Sequence, residues 1–415
     1  MPASVSSHLT FGQSKTPTRD AALMRPSAQL QLAARSLAIQ PFEVMDVLAR
    51  ADALTRAGRH IVRMEIGEPD FTAAPLVVEA ATQAMRDGLS AYTPALGITE
   101  LRQAIARFYA QSHARVVDPQ HVAVTAGASG ALLLTLAAIV GPGDEVLVPD
   151  PGYPCYRAFV RVCEATATAL PVEVTTNFQP TLEQVRAAWG PNTRALIIGS
   201  PSNPTGTVID PITLTSIAEF IASRNGVLIV DEIYDGLIYE GHHQSAAGLP
   251  GHVVVINSFS KYFCMTGWRL GWAVLPASLV RAVEKLAQHL FICPPSLSQR
   301  AACAAFLPDT ITLLEARRLQ FQQRRDYLVP ALEGIGFKFQ AKPQGAFYLF
   351  ADCATFSHDA RAFTLDTLLE KAGVAATPGC DFGQHHTDRY VRFAYTRGMA
   401  DLEEAVRRIA SVCAA

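Results

Sequence analysis

The stretch Val227-Leu-Ile-Val-Asp231-Glu-Ile-Tyr234 decides the fold. Its leading residues are apolar and mostly β-branched, with no polar residue between them. A strand with one wet face alternates apolar and polar residues. An unbroken apolar run of strand length is instead covered on both faces, as in a parallel sheet under helices. Similar runs surround it at His121–Thr125, Glu145–Val148, Thr168–Val172, Ala195–Gly199, Val253–Asn257 and Leu270–Leu275. Helical stretches separate these runs from His121 to Pro276. Alternation of strand and helix predicts an α/β domain with right-handed crossovers.

The pattern changes from Arg300 onward. A long charged helix is predicted over Thr310–Gly334, then short strands at Phe337–Gln340, Gly345–Leu349 and Tyr390–Ala394, then a closing helix over Met399–Ala410. This reads as a smaller α+β domain. Upstream, Leu30–Ser36 and Pro41–Arg56 read as helical. Residues 1–27 mix Ser, Thr, Pro and Lys without hydrophobic period and read as a disordered leader. The leader has no secretory apolar segment. Asp20 and the lack of an Arg-rich face oppose a transit peptide, and Met24 is an alternative start.

The 415 residues carry a formal net charge of -2, with 49% hydrophobic and 17% charged residues. That much apolar surface offsets the entropy of ordering, so disorder of the whole chain is excluded. The balanced charge leaves no basic footprint, and no nucleic-acid partner is expected. No apolar run reaches the roughly 18 residues that cross a bilayer, so no membrane span is expected. The best run, Ala131–Val140, is stopped by Gly141-Pro-Gly-Asp144. Cysteines stand at 155, 163, 264, 293, 303, 353, 380 and 413, with no CxxC pair and no His/Cys cluster. Neither a disulfide framework nor a metal site is expected, and idle thiols suit a reducing, cytoplasmic compartment.

Four segments carry chemistry. In Ser258-Phe-Ser-Lys261-Tyr-Phe-Cys-Met-Thr-Gly-Trp-Arg269-Leu-Gly, a lysine sits just past a buried strand between hydroxyl residues. Partial burial there disfavours the ammonium form, lowers the pKa and frees a nucleophile. Ser258, Ser260 and Arg269 would form an anion cradle beside it. A lone lysine would read as a solvated loop residue; the whole combination after an apolar strand does not. Asp231 directly follows the central strand, where ligands sit in open α/β sheets. Its carboxylate either binds a metal, faces a buried cation or caps a helix, and Tyr234 is placed to share the site. In Ile198-Gly-Ser-Pro201-Ser-Asn203-Pro-Thr-Gly206, prolines fix a loop around an amide that both donates and accepts; a plain turn is the simpler reading. In Val124-Thr-Ala-Gly127-Ala-Ser129-Gly, a strand turns into a helix whose N–H groups suit a phosphate. A tight turn with a serine cap is the alternative there.

Together, in this order, the segments resemble the class I/II aminotransferases, enzymes of fold type I that use pyridoxal 5′-phosphate (PLP). The SxSKxxxMTGWRxG, SPSNPTG and DEIY elements carry the resemblance. It runs from about Pro41 to the C-terminus through Gly67-Glu-Pro-Asp70-Phe, Tyr92-Thr-Pro-Ala-Leu-Gly97 and Tyr390-Val-Arg392-Phe. It implies an α/β fold with a mostly parallel seven-stranded sheet between helices. The implied domains are an N-terminal arm with part of the small domain (28–75), a large PLP-binding domain (76–299) and a small C-terminal domain (300–415). Lys261 is then the residue joined to PLP, and Asp231 the partner of its ring nitrogen. Tyr234 and Asn203 bond the ring hydroxyl, and Tyr153 stacks on the ring. Ser258, Ser260, Arg269 and the turn Gly127, Ala128, Ser129 hold the phosphate. Arg392 clamps the substrate carboxylate with help from Asn203 and the Gly67 backbone. Tyr92 reaches the phosphate of a neighbouring subunit, which implies a homodimer. Gly130 and Cys264 depart from the residues common in the family, Cys264 reading as a packing residue.

The implied activity is transfer of an amino group from an L-amino acid to a 2-oxo acid, by a ping-pong route through PLP and pyridoxamine phosphate. A PLP-dependent carbon–sulfur β-lyase, or another lyase on the same fold, is the alternative. A PLP-binding transcription regulator would need a basic N-terminal DNA-binding domain, for which the leader is too short. A nicotinamide-dependent dehydrogenase would need GxGxxG after the first strand. The side-chain pocket is open at this stage, with Phe42, Ile66 and Leu96 as candidates.

Overall fold

The structure is a computed structural model that describes residues 30–241 and 243–413. The leader, 1–27, lies outside the described residues. All the predicted buried runs become strands of one seven-stranded sheet. They are β1 (Val122–Thr125), β2 (Glu145–Asp150), β3 (Thr166–Pro171), β4 (Thr193–Gly199), β5 (Val227–Asp231), β6 (His252–Ser258) and β7 (Gly271–Val274). The spatial order is β1-β7-β6-β5-β4-β2-β3. Only β7 runs antiparallel to its neighbours, β1 and β6; the other pairings are parallel.

The strands are apolar throughout because both faces are covered. In β4, Leu196 and Ile198 enter one core while Ala195 and Ile197 enter the other. β5 divides the same way, with Leu228 and Val230 on one face and Val227 and Ile229 on the opposite one. Helices Thr99–His113 and Pro211–Ser223 supply the first core; Gly127–Ile139 and Ala277–Leu290 supply the second. Each fully buried Val, Leu or Ile contributes about 1.5–3 kcal/mol. A polar residue in the middle of β5 would therefore be costly on either face.

The C-terminal part is built around a helix over Pro308–Ile335 and a three-stranded antiparallel sheet. Its strands are β8 (Tyr348–Asp352), β9 (Thr377–Pro378) and β10 (Tyr390–Ala394), in the order β9-β10-β8. A two-residue parallel pairing of Val62–Arg63 with Val374–Ala375 ties the N-terminal segment to this part. The closing helix runs over Met399–Cys413, and the early helices over Ala34–Ala38 and Glu43–Arg56.

Two predicted strands need correction. Phe337–Gln340 makes only an isolated bridge, Lys338 to Asp352. The strand expected at Gly345–Leu349 instead begins at Tyr348. The backbone before it is committed elsewhere: the Gln344 and Gly345 amides donate to Gly206 O, and the Ala346 amide to Leu237 O. These bonds stitch the segment to loops of the large sheet and leave it no ladder to join.

Candidate active site

Topology brings the four chemical segments to one rim. Parallel strands β4, β5 and β6 all end there, at Gly199, Asp231 and Ser258. Because β7 is antiparallel, its first residue, Gly271, pairs with Ser258 and with Thr125. Arg269 is thereby delivered to the same edge as the helix that starts at Gly127. Ligands collect beyond such strand ends. A cavity of about 270 Å³ opens there.

Of the residues singled out in the sequence, Gly67, Ala128, Ser129, Tyr153, Asn203, Asp231, Tyr234, Ser258, Ser260, Lys261, Arg269 and Arg392 line the cavity. Gly127 lies behind them at φ +74°, where a Cβ would stand 2.7 Å from Arg269 Nη2. Tyr92 does not line it and is 85% exposed. Of the side-chain candidates, Leu96 is buried in the core, while Phe42 and Ile66 are partly exposed; none lines the cavity.

Lys261 Nζ donates to Gly67 O at 2.6 Å. Burial holds its pKa down to about 8, assisted by the Arg392 and Arg269 charges and opposed by Glu68 and Asp231. Asp231 accepts from Tyr156 Oη at 2.8 Å and from the Ile233 amide at 3.2 Å. Burial pushes its pKa up to about 6, against those two bonds and Lys261. Ser258 Oγ donates to Ser260 Oγ at 3.0 Å, and the Ser260 amide donates back to Ser258 Oγ at 3.0 Å. Arg269, at φ +51°, is pinned through Nη1 to Thr266 O at 2.9 Å.

Arg392 comes from the other side, on β10. Its Nη1 donates to Asn203 Oδ1 at 3.0 Å, and its Nη2 to Glu65 O at 2.6 Å and Thr377 Oγ1 at 3.1 Å. Its guanidinium lies 4.3 Å from the Tyr348 ring centre and 4.8 Å from that of Phe382. Its Nε is buried without a hydrogen-bond partner among the described residues. A Cβ on residue 67 would overlap Tyr348 Oη at 1.6 Å, so only glycine lets this chain segment pass. Cys264 is buried, and burial pushes its thiol up to about 11, as befits packing rather than nucleophilic attack.

Two cavity residues escaped the sequence reading. Tyr156 holds Asp231, and Tyr348 shares a 2.9 Å bond with Tyr234 Oη while flanking Arg392. A helical spacing from Tyr153 was the available signal for Tyr156. Tyr348 lies inside a run that reads only as a strand.

The sequence profile described as "Aminotransferase class I and II" matches residues 59–409. The chain belongs to this family. It is 40% identical over 375 residues to the valine–pyruvate aminotransferase of Mycobacterium tuberculosis, covering 90% of this chain and 96% of that one. It is 35% identical to the aspartate/prephenate aminotransferase of Thermus thermophilus, covering 92% and 98%. A crystal structure of an aminotransferase from M. tuberculosis superposes with a TM-score of 0.88 at 40% identity, covering 92% and 98%. The Thermus thermophilus aspartate aminotransferase with maleate gives 0.87 at 34%, covering 92% and 100%. The class I and II aminotransferases depend on PLP and move amino groups between amino acids and 2-oxo acids, and so does this chain. The fold is type I.

Proposed function

We propose that this aminotransferase takes the amino group from an L-amino acid with a neutral side chain and delivers it to a 2-oxo acid, in ping-pong order. The carrying observation is that Lys261 and Asp231, from separate segments, open on one cavity that the Arg269 and Arg392 side chains also line. Three features support the fit to PLP. Asp231 has no cation within hydrogen-bond reach among the described residues, although it is an acid. The Gly127 turn keeps the Arg269 guanidinium against the start of a 13-residue helix, which suits a phosphate. The Arg392 Nε has an unspent N–H.

On this reading Lys261 would hold the cofactor covalently and Asp231 its ring nitrogen. Tyr234 and Asn203 would bond the ring hydroxyl, and Tyr153 would cover the ring. Ser258, Ser260, Arg269 and Gly127–Ser129 would hold the phosphate. Bound PLP supplies an electron sink for the charge left when substrate Cα loses its proton. Displaced by the substrate amine, Lys261 Nζ, with its pKa depressed toward 8, would be free to take that proton as a base and return it as an acid. Arg392 orients the substrate carboxylate, assisted by Asn203 and the Gly67 backbone; the planar fork matches two oxygens. Tyr348, stacked on that guanidinium, keeps it from turning away.

Two observations support a neutral donor. Arg269 and Arg392 are each assigned one anion, and no further guanidinium lines the cavity among the described residues. The M. tuberculosis relative is named for valine and pyruvate. A homodimer belongs to the same proposal, since Tyr92 is exposed on its own chain and is available to a neighbour's phosphate. So does a reducing, cytoplasmic setting, supported by cysteines that are all unpaired. Mixing holoenzyme with valine and no acceptor tests the reading. Release of one 2-oxo acid per chain without ammonia is expected. Repeated release of pyruvate and ammonia from a cysteine derivative would establish the lyase instead.

A further inference from the structure

Next in the chain to Tyr234, and not lining the cavity, Asp235 belongs to a second cluster that catalysis does not use. His113 ends the helix Thr99–His113, Asp235 follows Tyr234 out of β5, and His243 lies in the loop before β6. Their side chains are 10%, 2% and 9% exposed. His113 Nε2 is 2.8 Å from one Asp235 oxygen, and His243 Nε2 is 2.5 Å from the other. These are ion-pair distances, yet the directions are wrong for shared protons. Both Nε2 atoms and Asp235 Oδ1 are buried with no aligned hydrogen bond among the described residues.

We propose that His113, Asp235 and His243 form a binding site for one divalent transition-metal ion of the zinc class. The ligand atoms all lie within 4.8 Å of one another. Two imidazoles and a carboxylate are a ligand set that zinc takes, with a water or a further oxygen as the fourth. Glu232 is buried beside the cluster, but its oxygens are already taken, accepting from Ser245 Oγ at 2.8 Å and from Ala246 N at 2.7 Å. Binding would open the two N···O contacts to roughly 3.3 Å, the ligand spacing of a tetrahedral site with bonds of about 2 Å.

The role is structural. Asp235 does not line the catalytic cavity. The ion would clamp the segment bearing Asp231 and Tyr234 to a helix and a loop. Ligands at 113, 235 and 243 have no motif spacing, which is why the linear sequence shows no metal site.

The test uses PLP-loaded enzyme, stripped with a chelator and titrated with Zn²⁺ by calorimetry. One equivalent per chain is expected, with a rise in Tm that the chelator reverses. Asp235→Asn and His243→Gln should each lose that equivalent, while His386→Ala, at an exposed histidine, should keep it. If Asp235→Asn does not fold, His243→Gln and the wild-type titration still decide. No saturable equivalent in the wild type, or one that survives His243→Gln, overturns the proposal.

Discussion

Asp231 and Asp235 stand on one segment, both buried, and their surroundings drive their acidity in opposite directions. Burial raises the pKa of each. At Asp231 a tyrosine hydroxyl and one amide answer it, and the pKa stays up at about 6. At Asp235 two imidazoles outweigh burial and hold the carboxyl below the ordinary range. The chain sets two imidazoles against Asp235 and, among the described residues, no cation within hydrogen-bond reach of Asp231. An acid kept short of a cation in a cavity is an acid waiting for one, and in the proposed reading the cation is the ring nitrogen of PLP. Strongly perturbed acids of this kind cluster at sites that bind or react.

Breaking the pair at its first member should affect turnover most. Asp231→Ala is expected to cost about 3–5 kcal/mol, as for one lost partner of a buried ion pair. That is roughly a hundred- to several-thousand-fold in kcat. A loss below about tenfold would mean the ring nitrogen is held otherwise. Tyr156→Phe keeps the carboxylate and removes one bond to it. The expected cost is about 1.5–3 kcal/mol, read as a roughly ten- to hundred-fold drop in kcat. An unchanged kcat would remove Tyr156 from the account.

A pH series sharpens the contrast. Lys261 must lose a proton before it can attack the PLP aldehyde, and its pKa is depressed to about 8. The rate at which stripped protein takes up PLP should rise about tenfold per pH unit below that point and level off above it. A profile flat from about pH 6 to pH 9 would contradict the depressed value. At the other member, Asp235→Asn should leave kcat within about threefold while lowering stability by about 3–5 kcal/mol, because the imidazoles lose their counter-charge. Denaturant titration and steady-state rates, measured together, separate the two effects.

The sequence exposed these acids unequally for a physical reason. Both faces of the large sheet are buried, so each strand announces itself as an apolar run, and Asp231 and Lys261 are legible as polar residues at its ends. Short-range order of that kind also exposed Ser258, Arg269 and the Gly127 turn. Tyr156 and Tyr348 act through partners 75 and 114 residues away, and nothing local distinguishes them from core aromatics. The cluster at His113, Asp235 and His243 is hidden the same way. The small sheet misled for another reason, since the backbone at 344–346 is bonded to the large-domain loops instead of to a strand. Arg392 was legible through the family resemblance, its contacts with Asn203 and Thr377 being set by tertiary structure alone.

The central claim is that the cavity amine at position 261 carries the cofactor. Reducing the holoenzyme with borohydride and mapping the modified peptide by mass spectrometry tests it directly. One pyridoxyl phosphate group is expected, on the peptide containing Lys261. Modification of Lys285 or any other lysine in its place, or no modified peptide, would contradict it.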